Sequence, residues 1–206
     1  QAVALLQGGC SAYPLALNAN QIPAGAEEGT IFGPVRLNNE KDDLNLDGFG
    51  FLGWNVAHRG VDDLTASCNN PIPGAICTSA VSLRDEVGFE EFGDPGDTEL
   101  HRGDWVLSSG INESQVSNVH EDLEDHRDAR RALRVIVYNY AFDAATGTPL
   151  NPKLISIDAT HTAWQYQVAG FAIVRIKEIQ WSPGDIDADK LTFEFIRWDF
   201  SCGYDT

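Results

Sequence analysis

The chain predicts a mainly β fold, an antiparallel, sandwich-like single domain over residues 1–206 with one helix at about 117–133, long loops and disulfides. Three observations carry that expectation. Leu133-Arg134-Val135-Ile136-Val137-Tyr138-Asn139-Tyr140 is rich in β-branched and aromatic residues, which fit a half-buried pleated surface. Tyr166 to Ile176 has the same character and reads as a second strand. Lys190 to Trp198 alternates, with Leu191, Phe193 and Phe195 on one side. At 206 residues the chain is long enough to bury a core of its own.

The elements follow in order. Ala12 to Leu17 reads as an edge strand, where Pro14 is tolerated. Gly25, Gly29, Gly33 and Pro34 punctuate the chain around a short strand at Thr30-Ile31-Phe32. Residues 40–54 turn from acidic to aromatic, and Val61-Asp62-Asp63-Leu64 opens a short helix. Gly103-Asp104-Trp105-Val106-Leu107 reads as a strand after the turn at Gly93-Asp94-Pro95-Gly96-Asp97. Ser117 to Leu133 is the helix: Val119, Leu123, Ala129, Ala132 and Leu133 give a thin apolar stripe, and Asn118 with Glu121 forms a capping pair. Acids at its start and Arg127, Arg130, Arg131 and Arg134 at its end suit the helix dipole. Gly170, inside the second strand, marks a close approach or a bulge.

Charge narrows the partners. The formal net charge is −17, from 31 acidic residues against 14 basic ones. A field of that sign repels nucleic acid and anionic membranes, and it attracts cations. No run reaches the roughly 20 apolar residues of a membrane-crossing helix. A chain that starts at Gln1 and holds no methionine reads as a mature or truncated product. Cys10, Cys68, Cys77 and Cys202 form an even set, and two prolines and a glycine turn the chain between Cys68 and Cys77. A local Cys68–Cys77 bridge and a terminal Cys10–Cys202 bridge are the expected pairing, with buried thiols as the other reading. Bridges place the chain in an oxidising compartment, extracellular or at the cell surface.

Candidate sites are few. Asp43, Asn45 and Asp47, followed by Gly48, have the alternating oxygen spacing of a calcium loop, although Trp54 stands where an EF-hand needs its bidentate acid. Asp94–Asp97 and Asp185–Asp189 are weaker versions of the same spacing, for which ordinary polar turns are the leading reading. His120-Glu121-Asp122-Leu123-Glu124 lacks the second histidine of a zinc-protease helix and reads as a solvated face. Asn112-Glu113-Ser114 is a glycosylation sequon at Asn112. The tryptophans read as core or interface anchors. Val3, Ala4, Leu5 and Leu6 lie in an arm, residues 1–9, that suits a strand donated to a neighbour's open edge.

The order of landmarks carries a resemblance. Gly48-Phe49-Gly50-Phe51-Leu52-Gly53-Trp54 is followed by Gly103-Asp104-Trp105-Val106, then the polar helix, then Val168-Ala169-Gly170-Phe171-Ala172. This resembles the extracytoplasmic region of TadE/TadG-like proteins of tight-adherence, Flp-type pilus assembly, over about residues 40–179. Gly48 stands where that family carries asparagine, and the connection from Tyr140 to Trp164 is long. The resemblance implies a non-enzymatic protein, since the family has no established catalytic residues to carry over. The expected function is pilus or filament assembly, adhesion or surface structure, with protein subunits or further copies of the chain as partners; calcium rests on the spacing of Asp43, Asn45 and Asp47 alone, with a solvated acidic turn as the other reading. The opposing class is a secreted hydrolase or carbohydrate-binding module that uses the acidic loops and tryptophans.

Overall fold

Strands drawn from distant parts of the chain meet in one mixed sheet. The computed structural model describes residues 12–36, 48–52, 102–103, 105–107, 116–156, 162–182 and 189–201. In chain order the strands are β1 (Tyr13–Asn18), β2 (Ile31–Arg36), β3 (Phe49–Phe51), β4 (Trp105–Leu107), β5 (Leu133–Tyr138), β6 (Ala141–Phe142), β7 (Pro149–Asn151), β8 (Lys153–Ser156), β9 (Thr162–Gln167), β10 (Gly170–Gln180) and β11 (Lys190–Asp199). The helix α1 (Val116–Asp128) lies between β4 and β5 in the chain. Six strands form a sheet in the order β2-β11-β10-β5-β1-β3, β4-β9-β8 form a smaller one, and β6 pairs with β7. The described residues are thus mainly β with one α-helix, as the sequence predicts.

The antiparallel expectation needs a correction. β1 runs parallel to β5, with Leu17 opposite Val137. Nor is β1 an edge, because β3 pairs along its other side.

Alternation along β5 and β10 feeds two cores. Leu133, Val135, Val137, Val174 and Ile176 face one of them, together with Leu123 of α1. Ile136, Tyr138 and Phe171 face the other, against Val106, Trp164 and Tyr166 of the smaller sheet. A strand buried on both faces reads as a continuous apolar run, which is why Leu133 to Tyr138 lacks the alternation of a half-exposed strand.

The run Tyr166 to Ile176 is two strands in different sheets. β9 ends at Gln167, and the chain turns at Val168-Ala169 before β10 begins. Gly103 N–H donates to the Val168 carbonyl at 2.8 Å, and Ala169 N–H donates to the Val137 carbonyl at 2.8 Å. Those bonds hold a corner that local propensity does not encode. Gly170 stands beside open space, so the expected close approach is absent there. It occurs at Gly50, where an added Cβ would meet the Tyr166 hydroxyl and lie 2.7 Å from its Cζ.

The helix is shorter than predicted, and Asn118 lies inside its first turn rather than at its cap. It ends at Asp128 because the chain closes a Schellman motif: Arg130 N–H reaches the Arg127 carbonyl and Arg131 N–H reaches the His126 carbonyl, both at 3.0 Å. Arg130 takes the left-handed position at φ 52°, one that glycine usually fills. Arg130, Arg131 and Arg134 therefore lie beyond the helix they were expected to terminate.

Three substitutions test these features. Arg130→Gly relieves the left-handed strain and is expected to stabilise the chain by about 0.5–1 kcal/mol in chemical denaturation. Gly50→Ala is expected to destabilise it by about 1–3 kcal/mol through overpacking. The Tyr166 hydroxyl is buried without a hydrogen-bond partner among the described residues, and burial pushes its pKa up. Tyr166→Phe should therefore be neutral or stabilising alone, and should recover part of the Gly50→Ala loss in a double-mutant cycle.

Candidate functional site

The sites predicted from sequence all lie outside the described residues: Asp43, Asn45 and Asp47; Cys10, Cys68, Cys77 and Cys202; Val3, Ala4, Leu5 and Leu6; and Asn112. Among the described residues no group of three or more His, Cys, Asp or Glu side chains is placed to hold a metal ion. No helix there is long and apolar enough to cross a membrane.

The His120–Glu124 segment is not the solvated face its sequence suggests. The His120 ring stacks on Trp181 with centroids 3.5 Å apart, and its Nε2 lies 2.9 Å from Asp189 Oδ2. Trp181 Nε1 donates to Glu124 at 2.7 Å, one helical turn along. Asp189, read from sequence as part of a polar turn, is buried and also accepts the Ser182 N–H at 2.8 Å. His126, the other helix histidine, is buried edge-on against Tyr13. This polar and aromatic clasp fixes α1 to the ends of β10 and β11. The ring face of His120 is spent on Trp181, so its geometry is that of a joint.

The tryptophans divide. Trp164 is core, Trp105 is partly buried beneath the Lys153 ammonium 3.8 Å from its ring, and Trp198 is more exposed. They form no row.

A groove of about 640 Å³ opens on the large sheet where the turn after α1 enters β5. Arg131, Arg134, Arg175 and Arg197 line it over Ile173 and Ile196. Register explains the set. Ile173 of β10 pairs with Arg134 of β5 on one side and with Arg197 of β11 on the other, which makes a cross-strand row. Arg175 is two residues along β10 and so shares the face of Ile173. Arg131 arrives from the Schellman turn, its Nη1 3.5 Å from His126 Nδ1. Sequence reading assigned Arg131 and Arg134 to the helix end and passed over Arg175 and Arg197. The available signal was an arginine between inward-facing apolar residues in Leu133-Arg134-Val135 and Val174-Arg175-Ile176.

Asp199 pins this face. Its side chain is fully buried and accepts the Arg134 Nε at 2.7 Å and the Ser201 hydroxyl and amide at 2.5 and 3.1 Å. Burial opposes ionisation, but the bonds from Ser201 and Arg134 outweigh it and hold the carboxyl below its ordinary value.

A second structure of note is the β6–β7 hairpin. Ala145 N–H bonds the Asp143 carboxylate, and Gly147 closes the turn at φ 68°. Asn151 is buried at the base, donating to the Asn139 carbonyl at 2.8 Å and accepting the Gln167 N–H at 2.9 Å. The braced hairpin presents Phe142 and Leu150, each about half exposed, and β8 adds Leu154.

Comparison with known proteins found no matching family model, no matching curated protein and no matching solved structure.

Arg134→Gln removes the buried carboxylate's nearest cation, leaving Arg197 at 3.7 Å, and is expected to destabilise the chain by about 1–2 kcal/mol near neutral pH. A depressed folded-state pKa contributes stability above the unfolded value of about 3.9 and loses it as pH falls through the folded value. The gap between wild type and Arg134→Gln should therefore narrow below about pH 4, as read from urea midpoints across a pH series.

Proposed function

We propose that this chain is a non-enzymatic structural protein of the cell surface or extracellular space, similar to TadE/TadG-like pilus-assembly proteins, and that it acts by contact with other protein subunits. One observation carries the reading. The segments behind the resemblance meet around the second core: Gly50 lies against Tyr166, the Gly48 carbonyl accepts the Tyr138 hydroxyl at 3.3 Å, and the exposed Gly103 donates its N–H to the Val168 carbonyl. Packing and backbone bonding account for these contacts, which suits a structural role. The four cysteines and the charge of −17 suit a location outside the cytoplasm.

The hairpin is the contact surface that fits the role. Exposed apolar residues on a braced turn can be buried by a partner with little ordering entropy. Strand addition at the β2 edge is less suitable, because Pro34 removes a donor from it. Calcium at Asp43, Asn45 and Asp47 would stiffen the acidic loop, and the disulfides would brace the chain outside the cell.

The test is negative-stain microscopy and sedimentation of the native protein, with and without a calcium chelator, beside Phe142→Glu and Leu150→Glu variants. The expected result is concentration-dependent assemblies that both substitutions weaken by about tenfold or more. Isolated monomers under every condition would sink the assembly reading, and indifference to the chelator would remove calcium from it.

A further inference from the structure

We propose that the arginine groove binds a small organic anion, one that carries a phosphate, sulfate or carboxylate group on an apolar body. The inference stands apart from the assembly reading, since the groove and the hairpin are separate surfaces.

The backbone builds the site. A bulge in β11 leaves Ile196 without a partner, because Val174 pairs with Phe195 and Ile173 with Arg197. In an unbulged strand Arg197 would stand opposite Ala172, which is fully buried. The extra residue keeps the guanidinium out of the core and turns it, with Ile196, into the groove. Arg134 and Arg175 reach the same face by simple alternation, opposite Leu133, Val135, Val174 and Ile176.

Among the described residues two acids, Asp199 and Glu194, pair with the groove's arginines. Asp199 is committed to Arg134 and Ser201, and Arg197 stands 3.7 Å from it. Glu194 is shared by Arg175 at 3.7 Å and Lys177 at 3.4 Å. The Arg175 Nε is shielded from solvent and meets no acceptor among the described residues, where buried donors ordinarily have one. An oxyanion that draws the Arg175 guanidinium further into the groove would supply that acceptor. Guanidinium forks match phosphate, sulfate and carboxylate in plane and spacing, and all four cations lining the groove are arginines.

Charge and shape set the size of the ligand. The net charge of −17 repels an extended polyanion, whose charges reach beyond the groove. A small anion seated inside lies within about 8–10 Å of the guanidiniums, the range in which their field escapes screening. Ala132, Ile173 and Ile196 add apolar lining, and the volume falls in the roughly 300–1,000 Å³ range of small-ligand sites.

The experiment titrates the full chain by calorimetry with phenyl phosphate, benzoate and inorganic phosphate. Phenyl phosphate should bind saturably and about tenfold more tightly than inorganic phosphate, and added salt should weaken it. Benzoate in its place would assign the site to carboxylates. Arg175→Gln/Arg197→Gln should weaken binding by about tenfold or more, whereas Lys177→Gln should leave it within about twofold. A readout on the unaltered protein guards against misfolded variants: phenyl phosphate should slow phenylglyoxal modification of Arg175 and Arg197, mapped by mass spectrometry. No saturable binding of any probe, equal affinity in the double variant, or no protection of either arginine would each overturn the site.

Discussion

β10 is paired on both sides, with β5 along its first half and with β11 along its whole length, while its side chains alternate between two separate surfaces. Its register therefore decides three things together: which residues enter the helix-side core, which meet the smaller sheet, and which line the groove. A slip of one residue would exchange Val174 and Ile176 for Ile173 and Arg175, forcing a guanidinium into the apolar core. That penalty specifies the pairing far more strongly than β propensity does. The bulge at Ile196 is the complementary device, changing phase on β11 where continued alternation would bury Arg197.

Buried polar side chains tie together the parts that apolar packing alone would leave loose. Asn151 fixes the hairpin to β9, Asp189 fixes α1 to the start of β11, and Asp199 fixes the end of β11 to β5. Each accepts a backbone N–H as well as, or instead of, a side-chain donor, so the cost of burial is offset at each point. All three belong to residue types that composition alone would place on the surface.

How far the sequence could be read depends on how local the signal was. Leu191, Phe193 and Phe195 alternate within one strand, and all three are buried. The helix was legible from Leu123 and its neighbours, but its end was not, because arginine fills the position where glycine would have announced the stop. Tyr166 to Ile176 looked continuous because nothing in Val168-Ala169 breaks a strand; the corner is made by Gly103 and Val137, far away in the chain. The same reason hid the groove, since its arginines become neighbours only through pairings across three strands and one bulge. The candidate residues that were legible, the acidic loop and the cysteines, lie outside the described residues.

The parallel pairing of β1 with β5 also constrains how the molecule can be made. On a ribosome Leu15 and Leu17 emerge early, yet the strand that covers one side of β1 arrives only with Val135 to Tyr138. Until then β1 has β3 at most, and an apolar segment waits with an open edge. A topology dominated by such distant pairings closes late and folds slowly. The sheet can therefore close around β1 only after the chain has been made through Tyr138.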